Sequence, residues 1–274
     1  MPLRITNNIA SLNAQRNLNK SQSGLSKSLE RLSSGLRINR AGDDAAGLAI
    51  SEKLRSNIRA LNQASRNASD GIGLIQTAEG AMQELSTMLQ RMKELAEQAA
   101  TGTVGTSERG FLNSEFTALR SEIDRIAAST KFNETYLLNG SLDVQLQIGT
   151  SSASTDSIQL TLSNVGPDAL GLITNISTTT NALAALSDTT DAISTLSSRR
   201  AAMGAVQNRL ESIISNINTV VENLTGAESR IRDVDVAAET AELTKNQILL
   251  QAGVSVLSQA NQMPTIALNL LSGT

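Results

Sequence analysis

Proline stands at only three positions, Pro2, Pro167 and Pro264, so residues 3–166 run without one. A proline inside a helix removes a backbone hydrogen bond and clashes with the preceding turn. A proline-free stretch of this length admits helices far longer than usual, and the apolar residues use it. Leu25, Leu29, Leu32 and Leu36 follow at spacings of 4, 3 and 4, which predicts a helix from about Thr6 to Leu36. Ser34-Gly35 and then Asn39 to Asp44 read as a break, with glycine ending one helix and Asp43 or Asp44 capping the next. From Ala45 to about Ala100 a second helix carries Ile72, Ile75, Met82, Leu85, Leu89 and Met92 in a rhythm that skips only Glu79. At the usual rise per residue it would span on the order of 80 Å. A Gly/Thr turn over Thr101–Ser107 leads to a third helix, Glu108 to Ala128, with Phe116, Leu119, Ile123 and Ile126 on one face.

The character changes after Phe132, where Ser, Thr, Asn and Gly dominate to about Thr180. Leu142 to Ile148 and Ser157 to Leu162 alternate apolar and polar residues, the period of half-buried strands. Between Lys131 and Arg199 there is no basic residue, while Glu134, Asp143, Asp156, Asp168, Asp188 and Asp191 are acidic. The stretch reads as a small exposed β subdomain. Helix returns at about Thr189, and Met203, Val206, Leu210, Ile213, Ile217, Val220 and Leu224 form a heptad seam. Gly226 and the charged run Glu228–Asp235 read as a joint before a last helix.

The order is nearly a palindrome about the β insert. The expected fold is mostly α: long antiparallel coiled-coil helices from both chain ends, plus a helical bundle with a small β subdomain inserted mid-chain. Residues 1–42 and 227–274 would make the two halves of the coiled-coil domain, 227–274 including a linker. Residues 43–131 and 189–226 would supply the bundle helices, and 132–188 the insert.

The two ends share a second property. Residues 246–274 contain no Asp, Glu, Lys or Arg, and none lies between Arg4 and Arg16. Ile5, Ile9 and Leu12 form a short stripe at one end; Ile248, Leu250, Val254, Leu257, Ile266 and Leu270 form one at the other. Amides and serines interrupt the latter, which argues against a membrane span of about 20 apolar residues. Uncharged amphipathic ends need partners, including each other, and the chain is expected to order them fully only on assembly. With four aromatics, Phe111, Phe116, Phe132 and Tyr136, the core must come from aliphatic residues and alanine, which suits helices packed side by side.

Catalytic chemistry finds little support. Cysteine and histidine are absent, which removes thiol nucleophiles, disulfides, most transition-metal sites and the usual general base at neutral pH. Gly71-Ile72-Gly73 sits inside a helical seam without a preceding strand and is no dinucleotide fingerprint. Asp43 and Asp44 are adjacent and diverge on a helix, so capping explains them better than paired catalysis. No cofactor is expected. The start of the sequence lacks the apolar core of a signal peptide. Residues 1–42 hold seven basic residues against Glu30 alone, which opens a reading as a membrane- or nucleic-acid-binding helix. Against it stand the net charge of -3 and the lack of an aromatic residue in this helix to stack a base or anchor at a bilayer. Acidic partners at Glu228, Asp233, Asp235, Glu239 and Glu242 are the simpler destination, so neither nucleic acid nor membrane insertion is expected.

Both ends resemble bacterial flagellin. The N-terminal blocks are Ile5–Asn8, Leu32–Asn39 and Ala41–Ile50; the C-terminal ones are Ser229–Asp235, Gln259–Pro264 and Ala267–Leu271. About 50 residues stand where larger members carry outer domains. The resemblance implies a short flagellin that polymerises into the extracellular flagellar filament for motility. It implies export by the flagellar type III apparatus, with an export chaperone, cap and hook-junction proteins as partners. A hook–filament junction protein is the same-class alternative, and the Gln259–Pro264 ending favours flagellin. Ile5, Ile9, Leu12, Leu25, Leu29, Leu32, Leu250, Val254, Leu257 and Leu270 become the candidate assembly residues. Leu89–Ala96 resembles the segment by which many flagellins engage Toll-like receptor 5, making Gln90, Arg91, Leu95 and Glu115 candidate receptor contacts. Ser151, Ser152, Ser154, Thr155, Ser177 and Thr178 are candidate O-glycosylation sites on composition and expected exposure.

Overall fold

The structure, a computed structural model, describes residues 7–140, 142–172 and 175–272, with side chains described as far as Met263. Five helices carry the chain: α1 (Ile9–Ser34), α2 (Ala45–Ala100), α3 (Thr106–Ser129), α4 (Thr179–Arg232) and α5 (Val236–Ser272). Four short strands lie between α3 and α4: β1 (Lys131–Phe132), β2 (Thr135–Tyr136), β3 (Leu142–Gln147) and β4 (Ser157–Leu162). The chain divides into two compact units, residues 57–222 and residues 1–56 with 223–274.

In the unit of residues 57–222, one core joins α2, α3, α4 and both hairpins. Ile75, Met82, Leu85, Leu89 and Met92 of α2 are fully buried, with Ala78 filling the beat at which Glu79 stands aside. Phe116 and Ile123 of α3 meet them, as do Met203 and Leu210 of α4. β3 and β4 pair antiparallel from Leu142↔Leu162 to Gln147↔Ser157. Ile158, Leu160 and Leu162 point into the same core.

That burial corrects the expectation of an exposed β subdomain. Leu137, Leu138, Val165 and Ile176 are also fully buried, so the segment is a wall of the bundle. Gly71 explains how the hairpin comes so close: a Cβ there would lie 2.4 Å from a Leu146 methyl. Asn67 adds a hydrogen bond from Nδ2 to the Gln147 carbonyl at 3.0 Å.

Three boundaries also differ. α4 begins at Thr179, ten residues before the expected Thr189, because its first turns bury Ala182, Ala185, Thr189 and Ala192, a helical stripe too small to stand out as apolar. It runs through Gly226, so the joint is only Asp233–Asp235. β1 and β2 escaped notice as strands of two residues joined through Asn133 (φ 45°) and Glu134 (φ 66°). That pair of left-handed residues is the geometry of a tight hairpin turn, made here without the glycine that usually signals it.

The helix ends follow the expected chemistry. Gly35 ends α1 in the left-handed conformation (φ 73°), its N–H donating to the Arg31 carbonyl. Asp44 caps α2, Oδ1 accepting from the Gly47 N–H at 2.9 Å. Asp235 caps α5 by accepting from Ala237 and Ala238. Arg109 of α3 closes α2, donating to the Ala99 and Thr101 carbonyls.

Candidate assembly surface

α1 and α5 run antiparallel with Cα atoms within 8 Å of each other. Their facing pairs fix one register. Asn8 Nδ2 donates to the Ala260 carbonyl at 2.7 Å, and Ser11 Oγ to Asn261 Oδ1 at 2.7 Å. Gly253 faces Leu18, Gly24 faces Asn246, and Arg31 pairs with Glu239 at 3.2 Å. The covered positions of α5 recur in strict heptads: Glu239, Asn246, Gly253 and Ala260 on one row, Leu243, Leu250 and Leu257 on the other. On α1, Ser11, Leu18, Leu25 and Leu32 alternate with Ala14, Ser21 and Ser28. Gly253 against Leu18 and Gly24 against Asn246 leave no Cβ between the helices at two points of the seam, which lets the backbones approach closely.

The break after α1 is stitched to the break before α5. Leu36 forms an antiparallel bridge with Asp233, the Arg37 N–H donates to the Arg232 carbonyl at 2.6 Å, and the Val234 N–H to Gly35 at 3.0 Å. Asp43 holds the connector to α1, pairing with Lys27 Nζ at 2.7 Å and accepting from the Asn39 and Arg40 N–H groups. The Lys27 hydrogen bond, and after it those two backbone donors, bring its carboxyl down to about 2. Glu52 is likewise lowered, first by Arg232 and then by Arg55. The basic excess of residues 1–42 is thus partly consumed inside the chain, at Arg31–Glu239, Lys27–Asp43 and Arg40–Glu30.

Among what the pair leaves outside are large apolar side chains. Ile9, Leu12, Leu29 and Val254, all candidate assembly residues, are 51–56% exposed. Leu25, Leu32, Leu250 and Leu257 instead sit half-buried in the seam between α1 and α5. Ile5 and the Leu270 side chain lie outside the described residues. Residue-by-residue reading missed a second stripe on α5, Leu249, Val256 and Met263, whose seven-residue repeat was the available signal. Leu249 and Val256 flank a groove of about 580 Å³ floored by small residues of α1, among them Ala14, Ser21 and Gly24.

The other candidates lie in the unit of residues 57–222. Arg91 Nε reaches Glu115 Oε1 at 2.8 Å and Nη1 reaches Glu94 at 2.9 Å, which raises the arginine's pKa, Glu115 contributing first. Gln90, Arg91 and Glu115 are exposed. Leu95 is not: at 1% exposure it belongs to the bundle core, one turn beyond Met92, and cannot fill a receptor's apolar patch without unpacking α2. Ser151, Ser152, Ser154 and Thr155 stand exposed in the β3–β4 connection, Ser177 and Thr178 just before α4.

Among the described residues no three metal-ligating side chains cluster and no helix is long and apolar enough to cross a membrane. Long paired terminal helices that leave large apolar side chains outside the pair define a class: structural subunits of helical assemblies. Within that class the comparisons are specific. The bacterial flagellin N-terminal helical region matches residues 5–143, and the C-terminal helical region matches residues 186–271. The chain belongs to the bacterial flagellin family and is a structural subunit of the flagellar filament. It is 48% identical to a flagellin of Halalkalibacterium halodurans over 269 residues, covering 97% of this chain and 99% of that one. Against a Bacillus subtilis flagellin it is 46% identical over 307 residues, with 98% and 100% covered. A putative flagellar hook-associated protein from Vibrio parahaemolyticus shares the fold, with a TM-score of 0.60 at 13% identity over 70% of this chain and 100% of that one.

Proposed function

We propose that the subunit enters the filament by laying the outer faces of α1 and α5 against neighbouring copies. The observation that carries this reading is the set of large apolar side chains left half exposed on the helix pair, most of them in its two charge-free stretches, residues 5–15 and 246–274: Ile9, Leu12, Leu29, Ile248, Leu249, Val254, Val256 and Met263. Covering the exposed half of each stabilises an interface by about 1 kcal/mol, roughly half the value for burying a fully exposed side chain. One face meeting a different face on the next copy gives an open helical polymer. Ile5 and Leu270 join the surface on the family resemblance. Residues 1–42 and 227–274 act as the coiled-coil assembly domain, and residues 43–131 and 189–226, with the insert 132–188, as a rod domain.

The same sticky ends are what an export chaperone, the cap and hook-junction proteins would engage before assembly, and export through the flagellar apparatus delivers the chain to its extracellular filament. The chain acts as scaffold and not as enzyme. Seeded polymerisation of the full chain tests the surface. Leu249→Ser with Val256→Ser should abolish elongation while leaving the helical bundle folded, as should removal of residues 246–274. Normal filaments from either would refute the assignment.

Arg91, with Gln90 and Glu115, offers Toll-like receptor 5 a charged and exposed patch in which Leu95 has no part. Arg91→Ala monomers should lose signalling; an unchanged response would exclude the patch.

A further inference from the structure

Met263 differs from the other methionines. Met82 and Met92 are fully buried, Met203 is 4% exposed and Met88 is half-buried, all in the unit of residues 57–222, whereas Met263 on α5 is 54% exposed. It continues the row of Leu249 (46%) and Val256 (55%) at seven-residue spacing, so the three side chains lie on one face of the helix. A thioether there is as apolar as its neighbours in the row. Its sulfur also keeps a lone pair that can attack a peroxide oxygen, which no leucine or valine offers.

We propose that Met263 is a reversible oxidation site that gates assembly of the subunit. This rests on the reading of the outer α5 face as an assembly surface. The sulfur lone pair attacks one peroxide oxygen, forming the S–O bond as the O–O bond breaks. The departing hydroxide takes up the proton that the sulfur-bound oxygen gives off and leaves as water, so the sulfur loses two electrons and the peroxide gains them. The product is a sulfoxide, a strong hydrogen-bond acceptor placed in a row that has to be desolvated. A buried polar group without a partner opposes the contact that the apolar row favours. Thiol-dependent sulfoxide reductases reverse the step, taking the oxygen off as water and leaving a disulfide. Exposure sets the direction of the gate. The free subunit presents the sulfur to solvent, and the assembled one covers it.

Full-length subunits and preformed filaments exposed to the same dilute hydrogen peroxide, then mapped by peptide mass, test this. In subunits Met263 should oxidise well ahead of Met82, Met92 and Met203; in filaments its oxidation should slow at least tenfold. Oxidised subunits added to untreated seeds should need a roughly tenfold higher concentration to elongate, and reductase treatment should restore them. Met263→Leu subunits should elongate equally before and after peroxide treatment, and untreated Met263→Gln subunits should elongate more poorly than Met263→Leu subunits. Equal oxidation rates in subunits and filaments, or unimpaired elongation by oxidised subunits or by Met263→Gln, would overturn the proposal. So would equal peroxide inhibition of Met263→Leu. Failure of the assembly surface itself would show separately, as normal elongation by the Leu249→Ser, Val256→Ser double variant.

Discussion

Gly24 and Asn246 provide the sharpest test of how the terminal helices are matched. A Cβ built on Gly24 would meet the Asn246 side chain at 3.0 Å from Nδ2, 3.1 Å from Oδ1 and 3.2 Å from Cγ. Asn246 is only 8% exposed, so its amide has little room to retreat. Alanine at position 24 sets two effects against each other. Helix propensity favours it over glycine by about 1 kcal/mol, and the crowded amide opposes it. Valine adds two methyl groups to the same spot, and overpacking of this kind costs about 1–3 kcal/mol. Since only the closed pair enters the lattice, that loss appears in the critical concentration for seeded elongation. At about 1.4 kcal/mol per tenfold, a loss near 2 kcal/mol raises it roughly thirtyfold. Asn246→Ala in the same chain removes the obstructing amide and should bring Gly24→Val back to within about threefold of wild type, a coupling of at least ~1 kcal/mol. If Gly24→Val costs the same in both backgrounds, or costs nothing, the two residues are not a knob and its hole.

The remaining predictions concern other levels of the structure. Phe116→Ala should destabilise the bundle by about 3–5 kcal/mol in urea unfolding, because the ring is fully buried and leaves a cavity among aliphatic neighbours. Asp43 has its carboxyl lowered from 3.8 to about 2, so its stabilising contribution is complete above pH 4 and fades as the pH falls towards 2. With Lys27 half exposed that contribution is only about 1 kcal/mol, and Asp43→Asn should flatten the acid limb of a pH-dependent melting curve. Gln251 and Gln259 are exposed on the uncharged part of α5, and changing either to glutamate should reduce elongation or export, scored by filament length and secreted protein.

Several features were legible before any coordinates. The absence of proline, the rhythm of Ile72, Ile75, Met82, Leu85, Leu89 and Met92, and the flanking breaks at residues 39–44 and 101–107 placed α2 at its observed ends, because long helices follow from local periodicity and from what would break them. Gly35 and Asp44 sit at helix ends for local reasons of backbone conformation and capping. The two strands of the main hairpin were visible as period-two alternation. So was the family, through ordered blocks at both ends, and with it the likeness of role.

Tertiary structure decided matters that depend on which residues meet across the sequence. Alternation marks a strand but does not say what its apolar side covers, and Gly71 shows that β3 lies hard against α2. Ala182, Ala185 and Ala192 look like filler in sequence and are core because a neighbouring element covers them. Leu95 looked available and is buried for the same reason. The largest revision falls on the terminal stripes. Leucines at helical spacing are equally good at closing a helix pair and at facing another subunit, and nothing in their own spacing separates the two uses. Small residues on the opposite helix make that choice: Gly24, Ala14 and Gly253 draw the backbones together and take Leu18, Leu25, Leu250 and Leu257 into the seam. Ile9, Leu12, Leu249, Val256 and Met263 then remain about half exposed outside it.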